Sequence, residues 1–491
     1  NLIGAPSSAL ALLKEDENVE PVLGARRAMA RGEALKQLRK LDEARSEFAR
    51  CAKWAQMTTD ERLMLRAEAE LAEIDWRHGG EAGRSTAIER VRELLADVRS
   101  ARELRNEWAA LEYQLGAALV VAGRRDEAVA ILKSALERTD SSYWKMRICN
   151  AINAAYYYLG SLHTALTYSE LAWTHAVDGG VDSFKPRLLA SAAGIRFGLG
   201  LFREAAEQGE LSASWGRRLG SPFEYEAGLL AAASDLVQIA EFERALAIVR
   251  EARQSASQDP RSRHTVKSLE IEALALLHIG NYPASKACID SAYAKLDVIG
   301  YDDTLPRLRW HSARLALEAG DFGGAEALLM LALGDLERTQ DWEDLPGVQV
   351  EMQLLFARSG DKRLDIEQLQ RVVEGAESRE LCPVQLRGTL ALAEASFTAR
   401  GARADLIPIL ERGLRLAERC GAREFVWRIS YWISRELLAT GEVRSSASRM
   451  ANAVRVLRGV ASELTVQNQA LYLSTAHAQL LVQGSAAPGP S

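Results

Sequence analysis

Apolar residues recur at i, i+3, i+4, i+7 and i+8 along much of this chain, the stripe of an amphipathic helix. Between Ala128 and Glu137 they occupy positions 128, 131, 132, 135 and 136. Other stretches are apolar on nearly every side. The run from Trp108 to Val121 is one, and it predicts a helix sandwiched between neighbours. Runs of β-branched residues, which would predict strands, are nearly absent. The two helix types alternate, and a small residue followed by two or three turn formers separates them.

That punctuation is periodic. The small turn residues are Gly123, Gly160, Gly200, Ala240, Gly280, Gly320, Gly360, Gly401 and Gly441, spaced by 37, 40, 40, 40, 40, 40, 41 and 40 residues. Glycine suits these places because helices commonly end on a left-handed residue, which costs other residues energy. Asp126, Glu127, Glu204 and Asp321 fall near the start of the next helix, where negative charge complements the helix dipole. Earlier turns, at Lys40–Ala44 and at Gly79-Gly80, are less regular. Polar connectors at 138–142, 255–261 and 300–306 hold cap and turn residues and join successive pairs. The expected architecture is all-α: a right-handed α-solenoid of about 11 antiparallel helix pairs with a ~40-residue period.

The turn residues resemble those of tetratricopeptide repeats. Gly320-Asp321-Phe322 with Ala325 and Ala332 carries that family's turn and both alanines of its second helix. Ala240-Glu241-Phe242 with Ala245 and Ala252 does so with alanine for glycine. Gly160 with Ala165 and Ala172, and Gly123 with Ala128 and Ala135, match without the aromatic. Gly200, Phe202 and Ala205 match, while Ser212 replaces the last alanine. Gly116, Ala193, Ala233, Ala273 and Ala313 hold the small position of the first helix. The period is longer than the family's usual ~34 residues. It is similar to repeats that serve as sensor or partner arms in large bacterial regulators, including signal-transducing ATPases and transcription activators.

On this reading residues 1–20 are an N-terminal segment or linker, and 21–482 form one helical repeat domain. Within it, 21–104 are irregular pairs, 105–460 regular repeats and 461–482 a capping helix. Residues 483–491 are a flexible tail, rich in glycine, proline and serine. The chain opens on Asn1, which suggests a processed or excised piece of a longer protein.

The resemblance implies a concave face lined by first helices, able to take an extended peptide or a helix. By the family pattern, groove positions lie 13, 10, 6 and 3 residues before each turn residue. They select Arg147, Asn150, Ala154 and Tyr157, then Arg187 and Phe197, then Leu230 and Ser234. Lys267 and Glu270 follow, then Arg307, Trp310 and Arg314, and finally Arg428, Tyr431 and Arg435. Arginine, tyrosine and tryptophan dominate interface energetics, and several cations in one groove suit an acidic peptide or a terminal carboxylate. Only Asn150 approaches the family's carboxylate-binding set. Arg187, Lys267, Arg307 and Arg428, one or more periods apart, are expected in one groove. The expected role is a non-catalytic protein- or peptide-binding scaffold in a regulatory protein. The alternative is a receptor for a small signalling peptide or ligand in the same groove.

Composition narrows the field. A net charge of −6 opposes direct nucleic-acid binding, which needs concentrated positive surface. No apolar run reaches membrane-spanning length. Cys51, Cys149, Cys288, Cys382 and Cys420 lie far apart, so no zinc-type spacing exists and reduced thiols in a cytoplasmic protein are expected. Phosphate-loop, dinucleotide-loop and HExxH motifs are missing, and the seven histidines are scattered. No enzyme activity, metal or cofactor is therefore expected, and the tryptophans are read as core packing.

Overall fold

The computed structural model describes residues 10–13, 20–38, 40–97, 102–256, 262–300, 304–339, 341–400, 406–475, 478–479 and 481. Most of the expected 1–20 linker, the Gly401 turn, parts of the 255–261 and 300–306 connectors, His477 and the tail 483–491 lie outside them. Regular structure among the described residues is entirely helical, and no helix there is long and apolar enough to cross a membrane. The chain divides into two compact units, Asn1–Asp182 and Ser183–Ser491.

The first unit holds α1 (Pro21–Gln37), α2 (Leu41–Met57), α3 (Glu61–His78), α4 (Gly80–Asp97), α5 (Arg105–Val121), α6 (Arg125–Arg138), α7 (Ser142–Tyr158) and α8 (Leu162–Asp178). The second holds α9 (Lys185–Gly198), α10 (Phe202–Arg218), α11 (Pro222–Gln238), α12 (Phe242–Ala256), α13 (Arg263–Ile279), α14 (Tyr282–Ile299), α15 (Leu305–Glu318) and α16 (Phe322–Thr339). It continues with α17 (Leu345–Ser359), α18 (Ile366–Ser378), α19 (Cys382–Arg400), α20 (Ile407–Cys420), α21 (Arg423–Ala439), α22 (Val443–Ser462) and α23 (Val466–Ser474). Consecutive helices pack as pairs, and pairs pack on their neighbours.

The sequence repeat explains this packing. The described turn residues from Gly123 to Gly441 have φ between +60° and +87°. At Gly200 the amide donates to the Phe197 carbonyl and the Leu201 amide to that of Arg196, which closes the helix end. Ala240 adopts the same conformation without glycine's freedom, at a cost of roughly 1–2 kcal/mol. The small positions Ala193, Ala233, Ala273 and Ala313 are buried, as are Ala128, Ala135, Ala165, Ala172, Ala245, Ala252, Ala325 and Ala332. Ser212, in the position of a second-helix alanine, is also buried and satisfies its hydroxyl on the Pro186 carbonyl at 2.8 Å.

An open stack would let each pair touch only its neighbours. The second unit instead closes on itself. Phe202, Leu236, Phe242 and Ile279 share one apolar core with Cys382, Leu386, Trp427, Ile433 and Tyr472. Arg423, at the start of α21, reaches back to the end of α11, donating to the carbonyls of Ile239 at 2.9 Å and Ala240 at 3.1 Å. A cation on those carbonyls complements the helix C-terminus. Glu243 accepts from the Thr465 amide at 2.9 Å and from Asn468 Nδ2 at 2.8 Å.

Candidate functional site

The interior of the second unit is built from first helices. A cavity of about 400 Å³ opens there. One wall is apolar, from Ala190, Ala193, Gly194 and Phe197 on α9, Ala227, Leu230 and Ala231 on α11, and Leu274 on α13. The rest of the lining is largely charged, from Lys267, Glu270, Arg307, His311, Asp344 and Arg387, with Trp310 among them. Leu381, Pro383 and Val384 border it at the start of α19, so the closure of the unit bounds the cavity. Gly194 is exposed within α9, and a Cβ added there would meet nothing within 4 Å.

The cations on the charged wall are largely matched. Glu270 is buried and lies 2.8 Å from Lys267 Nζ, 3.5 Å from Arg307 Nε and 3.4 Å from His311 Nε2. Burial opposes ionisation, but the Lys267 and Arg307 charges and the His311 hydrogen bond hold its carboxyl well below the usual range. Glu351 accepts from Trp310 Nε1 at 3.2 Å and Arg387 Nη1 at 3.2 Å, with Arg314 Nε at 3.9 Å. Arg358 bridges Glu318 and Glu394. Glu424 takes bonds from Trp427, Arg428 and Tyr472 at 3.0, 2.8 and 2.7 Å. The series runs across α13, α15, α17, α19 and α21, with most partners about one repeat apart.

Asp235 differs. It is 3% exposed, lines the cavity, and has no hydrogen bond or ion pair among the described residues. Burial alone pushes its carboxyl well above the usual range.

Two titrating groups on the same wall oppose each other. Burial pushes Asp344 up to about 7, against the pull of Arg307 at 3.6 Å. Burial pulls His311 down to about 4, against the pull of Glu270. Asp344 holds its proton more tightly folded than unfolded, so it adds stability as pH falls from 7 towards the ordinary carboxylate range. His311 resists protonation when folded, so it removes stability between pH 6.5 and 4. Asp344→Asn should therefore raise stability at pH 8 and steepen the loss between pH 6.5 and 4. Urea midpoints at half-unit pH intervals measure both; a profile parallel to wild type contradicts the assignment.

The structure distributes the sequence-selected residues unevenly. Lys267, Arg307 and Trp310 share the 400 Å³ cavity with Phe197, Leu230, Ser234 and Glu270. Arg314 and Arg428 line a second, smaller space of about 70 Å³ beside Glu318, Arg358 and Glu424. Tyr431 is buried, and Arg435 donates to its hydroxyl at 2.9 Å and stacks over Phe397. Arg187 is exposed and lines neither space, so Arg187, Lys267, Arg307 and Arg428 are not brought to one cavity.

The remaining three belong to the first unit. Arg147 is buried against Glu73 at 3.1 Å and the hydroxyls of Tyr113 and Tyr143 at 3.2 and 3.1 Å. It borders a separate cavity of about 390 Å³ with Glu33, Arg66, Glu70 and Trp144. Asn150 Oδ1 is buried without a partner, and Tyr157 is half-buried, edge-on to Tyr158.

The group-of-four spacing falls on Gly194, six residues before Gly200, but misses Asp235, Asp344 and Arg387. Asp235 carried a signal: it is the one acid in the apolar run from Leu229 to Ile239. The five cysteines are free thiols, and the described residues hold no group of three or more His, Cys, Asp or Glu fit for a metal.

No protein-family model matches the chain, and no curated protein does. Solved structures do. The Rap conjugation gene regulator of plasmid pLS20, in complex with the Phr* peptide, is 11% identical with a TM-score of 0.50, over 72% of this chain and 94% of that one. A Rap protein complexed with Competence and Sporulation Factor is 10% identical with a TM-score of 0.48, over 82% and 100%. A STAND protein with a tetratricopeptide repeat sensor from Pyrococcus horikoshii is 15% identical with a TM-score of 0.40, over 68% and 52%. The chain thus has a tetratricopeptide-like helical-repeat fold.

Proposed function

We propose that this chain is a non-catalytic scaffold that binds a peptide or protein segment, acting as the partner arm of a cytoplasmic regulatory protein. The observation that carries the reading is the 400 Å³ cavity lined partly by apolar and partly by charged side chains. Pockets of this size that combine apolar surface with a few placed polar groups are the usual form of a ligand site. The pLS20 regulator, similar in fold, holds a peptide.

The charge pattern bears on the partner. A basic groove would favour an acidic segment, but Lys267, Arg307 and Arg387 already face Glu270, Asp344 and Glu351. Asp235 is the carboxylate on this surface that lacks a counter-ion among the described residues. The occupant we favour has an apolar anchor against Phe197 and Leu230 and a cationic group near Asp235.

Gly194→Trp provides the test, because position 194 lines the cavity and a Cβ there meets nothing within 4 Å, which leaves an indole room to enter. A random peptide pool is panned on the purified chain. Peptides selected by wild type should bind Gly194→Trp at least tenfold more weakly, while Gly194→Ala retains binding. The alanine variant should also be about 0.5–1 kcal/mol more stable, since glycine inside a helix is costly. Equal binding by the tryptophan variant, with its helicity intact, would overturn the reading.

A further inference from the structure

Two sulfur atoms meet where the second unit closes. Cys382 opens α19 and Cys420 ends α20, and their Sγ atoms lie 3.3 Å apart. Both rest on the Gly200 turn: a Cβ there would stand 2.5 Å from Cys382 Sγ and 2.6 Å from Cys420 Sγ. The glycine, left-handed at φ +77°, leaves the room the two thiols fill. Cys382 is buried, whereas Cys420 is only half-buried. Cys51 and Cys149 are buried and Cys288 half-buried, and no sulfur–sulfur contact involves any of them. A disulfide needs the sulfurs at about 2.05 Å, so the pair must close by roughly 1.3 Å, within the range of small side-chain rotations.

We propose that Cys382 and Cys420 form a reversible redox site that a hydroperoxide converts to an intrachain disulfide. The Cys420 thiolate attacks the terminal peroxide oxygen and the O–O bond breaks. Cys420 becomes a sulfenic acid, and water or an alcohol leaves. The Cys382 sulfur then attacks the Cys420 sulfur. The S–O bond breaks, and the hydroxide leaves as water with the Cys382 proton. Two electrons pass from the two thiols to the peroxide, and one S–S bond replaces two S–H bonds.

The environments suit these roles. A hydrogen bond from the Cys382 thiol lowers the Cys420 thiol below its usual range. Burial pushes Cys51, Cys149 and Cys288 up to about 12, which leaves them with little thiolate. The bond ties the start of α19 to the end of α20, beside the 381–384 border of the cavity, so oxidation stiffens that border.

The experiment treats the reduced full chain with equimolar hydrogen peroxide, then blocks free thiols under denaturing conditions and digests. The expected product is a single cross-linked peptide pair containing Cys382 and Cys420. Cys51, Cys149 and Cys288 should be recovered alkylated. The thermal midpoint should rise on oxidation and return with dithiothreitol. In Cys382→Ser, dimedone should trap a sulfenic acid on Cys420. Recovery of Cys382 and Cys420 as free thiols, or cross-links scattered over all five cysteines, would overturn the proposal. Peptide binding plays no part in this readout, so the result is independent of the scaffold reading.

Discussion

Replacing Glu351 by leucine is expected to destabilise the second unit by about 3–5 kcal/mol. Its carboxylate is 5% exposed and neutralises Arg387 and Arg314 while accepting from Trp310. Leucine fills the space but leaves two guanidinium groups facing each other in the interior. Arg314 is already weakly placed: its Nη1 is buried with no hydrogen-bond partner. Glu318 and Glu394 cannot replace the lost charge, because Arg358 engages both. Removing one member of a buried ionic cluster costs more than the cluster contributes, since the orphaned charge keeps its desolvation penalty. Urea unfolding measures the effect. A loss under about 1 kcal/mol would mean that the arginines find water instead.

Gly200→Ala should cost about 2–5 kcal/mol, whereas Gly320→Ala at the equivalent turn should cost only about 1–2. Both glycines are left-handed, at φ +77° and +75°, so the backbone penalty is shared. A methyl at 320 meets nothing within 4 Å, whereas at 200 it strikes both Cys382 and Cys420. The difference isolates the closure of the unit. Thermal unfolding of the two variants in parallel gives the comparison. Equal midpoints would mean that the early and late pairs are not held together in solution.

The repeat was legible because its cause is local. A glycine between two helical stripes takes the left-handed turn that ends a helix, and alanine permits close helix packing where pairs meet, so Gly160, Gly320, Ala245 and Ala332 could be placed from spacing alone. The periodic groove positions also brought Phe197, Leu230, Lys267, Glu270, Arg307 and Trp310 to one cavity. Closure was not legible. Arg423 looks like any arginine in a first helical turn, and nothing nearby in sequence indicates that its partners are Ile239 and Ala240. Nor was the charge balance read. Of the carboxylates that face the basic groove residues, only Glu270 falls on a groove position, although Trp310, Glu351 and Arg387 stand roughly one repeat apart, where adjacent first helices bring side chains together.

On the proposed function, the cavity inside the second unit receives a peptide. Hydrogen–deuterium exchange of the full chain, with and without a peptide selected by panning, tests it most directly. Exchange should slow in α9, α11, α13 and the start of α19, with α10, α12 and the first unit unchanged. Protection confined to α10 and α12, or to the first unit, would contradict it.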